Sequence, residues 1–90
     1  MIMVDEVRVW PHARPPFHKG SAHLTTSGAD LHELHIFAER IGLSREWFQE
    51  QSSPHYDVTP AKRETALRAG AIFVPAKEQA KRRIAHRAAK

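Results

Sequence analysis

A small two-layer α/β (or α+β) domain is the fold this sequence predicts, with a short mixed sheet of about three strands covered by helices in the order ββαααβα. Three observations predict it. β-branched residues crowd the N-terminus, apolar residues recur at helical spacing over residues 31–41, and a proline-started helix leads into an apolar run closed by Pro75. Ninety residues bound the chain to one compact domain with a small core, expected over residues 1–75, followed by a basic helix or tail over 76–90.

Each element has a local reason. Ile2-Met3-Val4 is apolar, and Val7-Arg8-Val9-Trp10 alternates apolar and polar as a half-buried strand does, so one strand, or two pieces of a bulged one, opens the fold. Pro11, Pro15, Pro16 and Gly20 make residues 11–21 an ordered loop, and Ala22-His23-Leu24-Thr25 resumes a strand. Ser27 with Asp30 three residues on resembles a capping box. Leu31, Leu34, Ala38 and Ile41 then fall on one helical face before Gly42 ends the run. Ser44 is placed to cap a short second helix through Gln49, whose adjacent Trp47 and Phe48 both need cover. Residues 51–58 read as a loop. Thr59 and Pro60 are an N-cap and a first helical residue, the third helix runs to about Ala69, and Gly70 suits its C′ position. Ala71-Ile72-Phe73-Val74 is too short for a helix and fits a buried strand, expected parallel to and beside 22–25.

Composition excludes several chemistries. The chain contains no cysteine, so disulfides, thiolate metal sites and cysteine nucleophiles are out. No run approaches the roughly 20 apolar residues of a membrane span. The N-terminus meets Asp5 and Glu6 before any long apolar stretch, which predicts no signal peptide and a cytoplasmic location. The net charge of +4 is unevenly spread: residues 1–75 hold 8 Lys/Arg against 9 Asp/Glu, and residues 76–90 hold 6 against Glu78 alone. Such a tail reads either as an electrostatic footprint for nucleic acid or as a solvated helix, and no aromatic residue is interleaved with its cations for base stacking.

The densest chemistry lies at His55-Tyr56-Asp57-Val58-Thr59-Pro60, followed by Lys62 and Arg63. Cations in the first turn of a helix oppose its dipole, so a bound anion is the simplest offset. On that reading Tyr56, Thr59, Lys62 and Arg63 bind a phosphate-bearing ligand, a nucleotide or nucleic acid. Asp5 ends a strand, where open α/β sheets place ligands. With His23, His55 and Asp57 it forms the catalytic alternative, a small hydrolase-like enzyme using general acid/base or metal-assisted chemistry. A structural or partner-binding module is the third reading, favoured if Trp10, Phe17, Trp47 and Phe48 form an exposed patch.

Seven histidines invite a metal, yet His32 and His35 lie three apart and so miss the zincin spacing, and the remainder are scattered. No metal ligand is assigned from spacing and no cofactor is required, although a divalent ion could join imidazoles to Asp5, Glu6 or Asp57. The serines lack a nucleophile-elbow setting. A helix-turn-helix over 34–51 fails, since Gln51 falls at a core position and Glu46 and Glu50 would face phosphates.

The set formed by Ala29 to Ala38, Ile41-Gly42-Leu43, Trp47-Phe48-Gln49, His55 to Thr59, Lys62-Arg63 and Ala69-Gly70-Ala71 resembles a small bacterial and phage family known as domain of unknown function number 4031. Val4-Asp5 and His23-Leu24 also fit its pattern, although members often carry two like acidic residues where this chain has Asp5-Glu6. The resemblance implies domain boundaries near residues 2 and 78 and carries no activity to transfer.

Overall fold

The computed structural model describes residues 1–28, 30–50 and 53–81 as an α+β domain built on one mixed sheet. In chain order the elements are β1 (Ile2–Val4), β2 (Ala22–Thr26), α1 (Leu31–Arg40), a 3-10 turn (Arg45–Trp47), β3 (Phe48–Gln49), β4 (His55–Val58), α2 (Pro60–Arg68) and β5 (Ile72–Phe73), and residues 76–81 are helical. The five strands lie in the order β3-β4-β2-β1-β5. Every neighbouring pair is antiparallel except β1 and β5, which are parallel.

The sheet therefore has five strands where about three were expected, and β1 separates β2 from β5. β3 and β4 are the additions. Adjacent aromatics favour extended backbone, so the helix expected to reach Gln49 is a single 3-10 turn, and Phe48 pairs with Tyr56. Ser44 does cap that turn, accepting the Glu46 N–H at 3.3 Å. The segment read as a loop contains β4, with His55 and Asp57 facing one way and the buried Tyr56 and Val58 the other. Val7–Trp10 is not a strand. It contributes one isolated bridge, Arg8 to Ser21, and Val9 and Trp10 remain exposed. Nor is the 71–74 run a buried strand: Ile72 and Phe73 form an exposed edge, while the flanking Ala71 and Val74 are buried.

Both long helices start as their sequences dictate, with one change of residue. Asp30, not Ser27, caps α1 by accepting the His32 N–H at 3.0 Å. Thr59 caps α2 with Pro60 as its first residue, and Gly70 follows the helix at φ +110°. Side-chain alternation sorts the sheet into two faces. Ile2, Val4, Ala22, Leu24, Tyr56 and Val58 point to the core, where Leu34 and Ala38 of α1 and Ala66 of α2 meet them. Met3, Asp5, His23, Thr25, His55 and Asp57 occupy the intervening positions, on the face opposite α1 and α2.

Lys62 and Arg63 join elements together. The Lys62 ammonium donates to the Ile41 carbonyl at 2.6 Å, so a cation misplaced for its own helix satisfies an orphan carbonyl at the negative end of α1. Arg63 Nε donates to the Asp5 carbonyl at 2.8 Å, and its guanidinium lies 5.3 Å from the centre of the Phe73 ring. The start of the basic segment is also packed. The Glu6 carboxylate accepts the Ala76 N–H, and the buried Gln79 amide donates to the Val74 carbonyl at 2.8 Å. The tail cations from Arg82 onward lie outside the described residues. Among the described residues no helix is long and apolar enough to cross a membrane.

Candidate functional site

Register creates the site. Pairing places His23 opposite Asp57, and the two-residue strand period puts His55 beside Asp57 on the same face. Asp5 follows β1 and reaches the same group: its N–H donates to the His23 carbonyl at 3.2 Å. Its side chain accepts the His23 N–H at 2.6 Å through Oδ1 and meets His23 Nδ1 at 2.7 Å through Oδ2. Asp5 is only 3% exposed, so this carboxylate is committed to holding His23 in place.

Each remaining group is held from behind in the same manner. His55 Nδ1 donates to the Ser53 carbonyl at 2.7 Å. Asp57 Oδ2 accepts from the Gln49 side-chain amide. Because a carbonyl and an ionised carboxylate only accept, both neutral imidazoles carry their proton on Nδ1 and leave a lone pair on Nε2. Those Nε2 atoms lie 3.8 Å (His23) and 3.5 Å (His55) from Asp57 Oδ1, and the two rings meet edge to face with centroids 4.8 Å apart. Three acceptors thus converge without a donor between them among the described residues. Ligand atoms of His23, His55 and Asp57 all lie within 4.8 Å of one another. A tetrahedral zinc with bonds of about 2.0–2.1 Å would draw such atoms to about 3.4 Å apart, so a small inward adjustment suffices. A proton is the other way to relieve three facing acceptors. Accordingly the Asp57 side chain raises the His55 pKa above its ordinary value, with help from the Ser53 carbonyl and against the effect of burial.

The cluster forms the floor of an open cleft of about 820 Å³. Trp10, Arg14 and Phe17 from the loop between β1 and β2 line it, together with Trp47, Ala76 and Gln79. The loop is ordered by short backbone bonds, Ala13 N–H to Trp10 O at 3.2 Å and Phe17 N–H to Arg14 O at 2.8 Å, and is closed by the Arg8–Ser21 bridge. Gly20 permits that closure: its φ is +128°, and a Cβ there would sit 2.7 Å from a Val7 methyl.

Asp5, His23, His55 and Asp57 are therefore brought together, whereas the other four sequence candidates are not. Tyr56 points into the core, is 1% exposed and shares a 2.7 Å hydrogen bond with His35 Nδ1. Thr59 Oγ1 accepts the Lys62 N–H at 3.2 Å, and neither Thr59, Lys62 nor Arg63 lines the cleft. Sequence reasoning missed Gln49, the Ser53 carbonyl and Arg14. A signal for the first two existed in the alternation His55-Tyr56-Asp57-Val58, which marks a strand, pairs it with its neighbour and so orients Gln49.

No curated protein and no solved structure matches the chain. The family model described as "Protein of unknown function (DUF4031)" matches residues 2–86, and the chain belongs to that family.

Proposed function

We propose that the cleft is a divalent-metal centre of hydrolytic type, with His23 Nε2, His55 Nε2 and Asp57 Oδ1 as ligands. The convergence of three lone-pair donors, each fixed from behind by a second group, carries this reading. Metal-bound histidines characteristically donate their other ring nitrogen to a carboxylate or a backbone carbonyl, and here Asp5 and Ser53 supply those two acceptors. Two imidazoles and one carboxylate suit zinc or a neighbouring first-row ion, and three protein ligands leave coordination open toward the cleft. When bound, such an ion lowers the pKa of water toward neutrality and polarises a phosphoryl or carbonyl oxygen.

The chain's own residues do the rest. Asp5 keeps His23 in the tautomer whose Nε2 is free, Gln49 turns Asp57 so that Oδ1 faces the imidazoles, and the cleft walls limit what reaches the floor. The phosphate-bearing ligand expected at the Pro60 helix is better placed in this cleft. Lys62 and Arg63 already have partners within the fold, so the helix start has no uncompensated cations that call for an anion.

Hydrolysis by the zinc-loaded full chain of a chromogenic panel, a carboxyl ester, a phosphomonoester and a phosphodiester, tests the proposal. Turnover of at least one member is expected, abolished by a chelator, restored by zinc and lost in Asp57→Asn. Absence of zinc-dependent turnover across the panel would leave a binding site and remove the enzymatic reading.

A further inference from the structure

Two side chains on the loop that forms one lip of the cleft have no polar or ring partner among the described residues. The Trp10 indole is 44% exposed and makes no ring contact or hydrogen bond among the described residues. The Arg14 guanidinium forms no hydrogen bond or ion pair among them either, although both residues line the cleft. By contrast, Phe17 and Trp47 in the same cleft brace one another edge to face, with centroids 5.4 Å apart. A partly exposed indole on an ordered loop and an unpaired guanidinium lining the same cleft suit a planar ring attached to an anion.

Charge decides what that anion can be. The cleft is lined by Asp5 and Asp57 against Arg14, a formal balance of −1 with the histidines neutral. In that state it repels a phosphate. A divalent ion on His23, His55 and Asp57 changes the balance to +1, which attracts one phosphate at the floor while the lip holds the remainder of the molecule. The volume of about 820 Å³ is in the range that encloses a molecule of nucleotide size.

We infer that the cleft binds a nucleoside phosphate, its base stacked on Trp10 and its phosphate held by Arg14 and the metal centre. This rests on the metal-centre reading. The same chemistry is offered by a free nucleotide and by the end of a single strand of nucleic acid. Either enters an open cleft, base against the lip and phosphate toward the floor.

Calorimetric titration of the zinc-loaded full chain with adenosine 5′-monophosphate, ribose 5-phosphate and a hexathymidine oligonucleotide tests the inference. Adenosine 5′-monophosphate should bind about tenfold more tightly than ribose 5-phosphate, because only it can stack. Trp10→Ala should erase that difference, and Arg14→Gln should weaken both ligands alike. Both variants should still bind one zinc per chain, which shows that they fold. Oligonucleotide affinity well above that of the mononucleotide identifies the nucleic-acid source, and equal affinity identifies the free nucleotide. One zinc bound with equal affinity for the base-bearing and base-free phosphates would overturn the ligand class and leave the metal centre standing. No zinc bound at all would overturn the metal centre, and this inference with it.

Discussion

Tyr56 and Asp57 are neighbours in β4, yet they meet histidines on opposite faces of the sheet under opposite chemical terms. On the core face the Tyr56 hydroxyl and His35 Nδ1 pair one donor with one acceptor at 2.7 Å, and Phe48 packs edge-on against the imidazole. That pair is complete. On the cleft face His23 and His55 turn lone pairs toward the Asp57 carboxylate at 3.8 and 3.5 Å, and among the described residues no donor lies between them. The same residue type is thus architecture where its hydrogen bonds close and a candidate site where they do not. The difference follows from side-chain direction in a strand, since one step along β4 moves a residue from the helix-covered layer to the open cleft.

Leu24→Ala should break the core side of the comparison most severely. Leu24 is fully buried beneath α1 and α2, and its truncation is expected to cost about 2–5 kcal/mol in urea unfolding. Asp57→Asn on the other face should leave unfolding stability within about 0.5 kcal/mol, since Asp57 is outside the core and a carboxylate facing two imidazoles is removed. A comparable loss in both variants would show that the cleft cluster also holds the fold.

Asp5→Asn sharpens the boundary between the two roles, because Asp5 is buried but serves the cleft. Its amide cannot accept from His23 at both positions, so a loss of about 1–3 kcal/mol is expected in unfolding. Zinc affinity should fall roughly 10–100-fold, as it does when an orienting carboxylate is removed. Lys62→Met comes next, with an expected loss of about 1 kcal/mol from the vacated Ile41 carbonyl. Unchanged or raised stability would return Lys62 to the role of a cation awaiting an anion.

The sequence made the helices legible because their signals are local. Asp30, Thr59-Pro60, Gly42 and Gly70 mark ends by rules that operate over a few residues. β3 and β5 have two residues each, too few to show a period, and exist because a neighbouring strand pairs with them. Asp5, His23, His55 and Asp57 could be named from their chemistry, but they come from three segments up to 52 positions apart. Only register reveals that they share a face. Lys62 and Arg63 show the reverse: their oddity was visible, and its cause, the end of α1 and the Asp5 carbonyl, was remote.

Titration should separate the two histidine environments with the smallest effects. Burial, followed by the charges of Arg45 and His32, lowers the His35 pKa below its ordinary value. Its stabilising contribution is therefore complete above the unfolded value of 6.5 and is lost as pH falls through the folded pKa. The His55 pKa is raised, so in the metal-free chain its contribution is complete below 6.5 and is lost as pH rises through the folded pKa. Proton NMR of the imidazoles should show His35 titrating below 6.5 and His55 above it, and reversal of that order would contradict both the burial of His35 and the pairing of His55 with Asp57.

Zinc titration of the metal-free full chain by calorimetry decides whether the cleft is a metal centre, with His35→Gln from the core face set against His55→Gln from the cleft. One zinc per chain is expected in the parent and in His35→Gln, and no specific binding in His55→Gln. Zinc bound equally by all three, or by none, would contradict the metal centre.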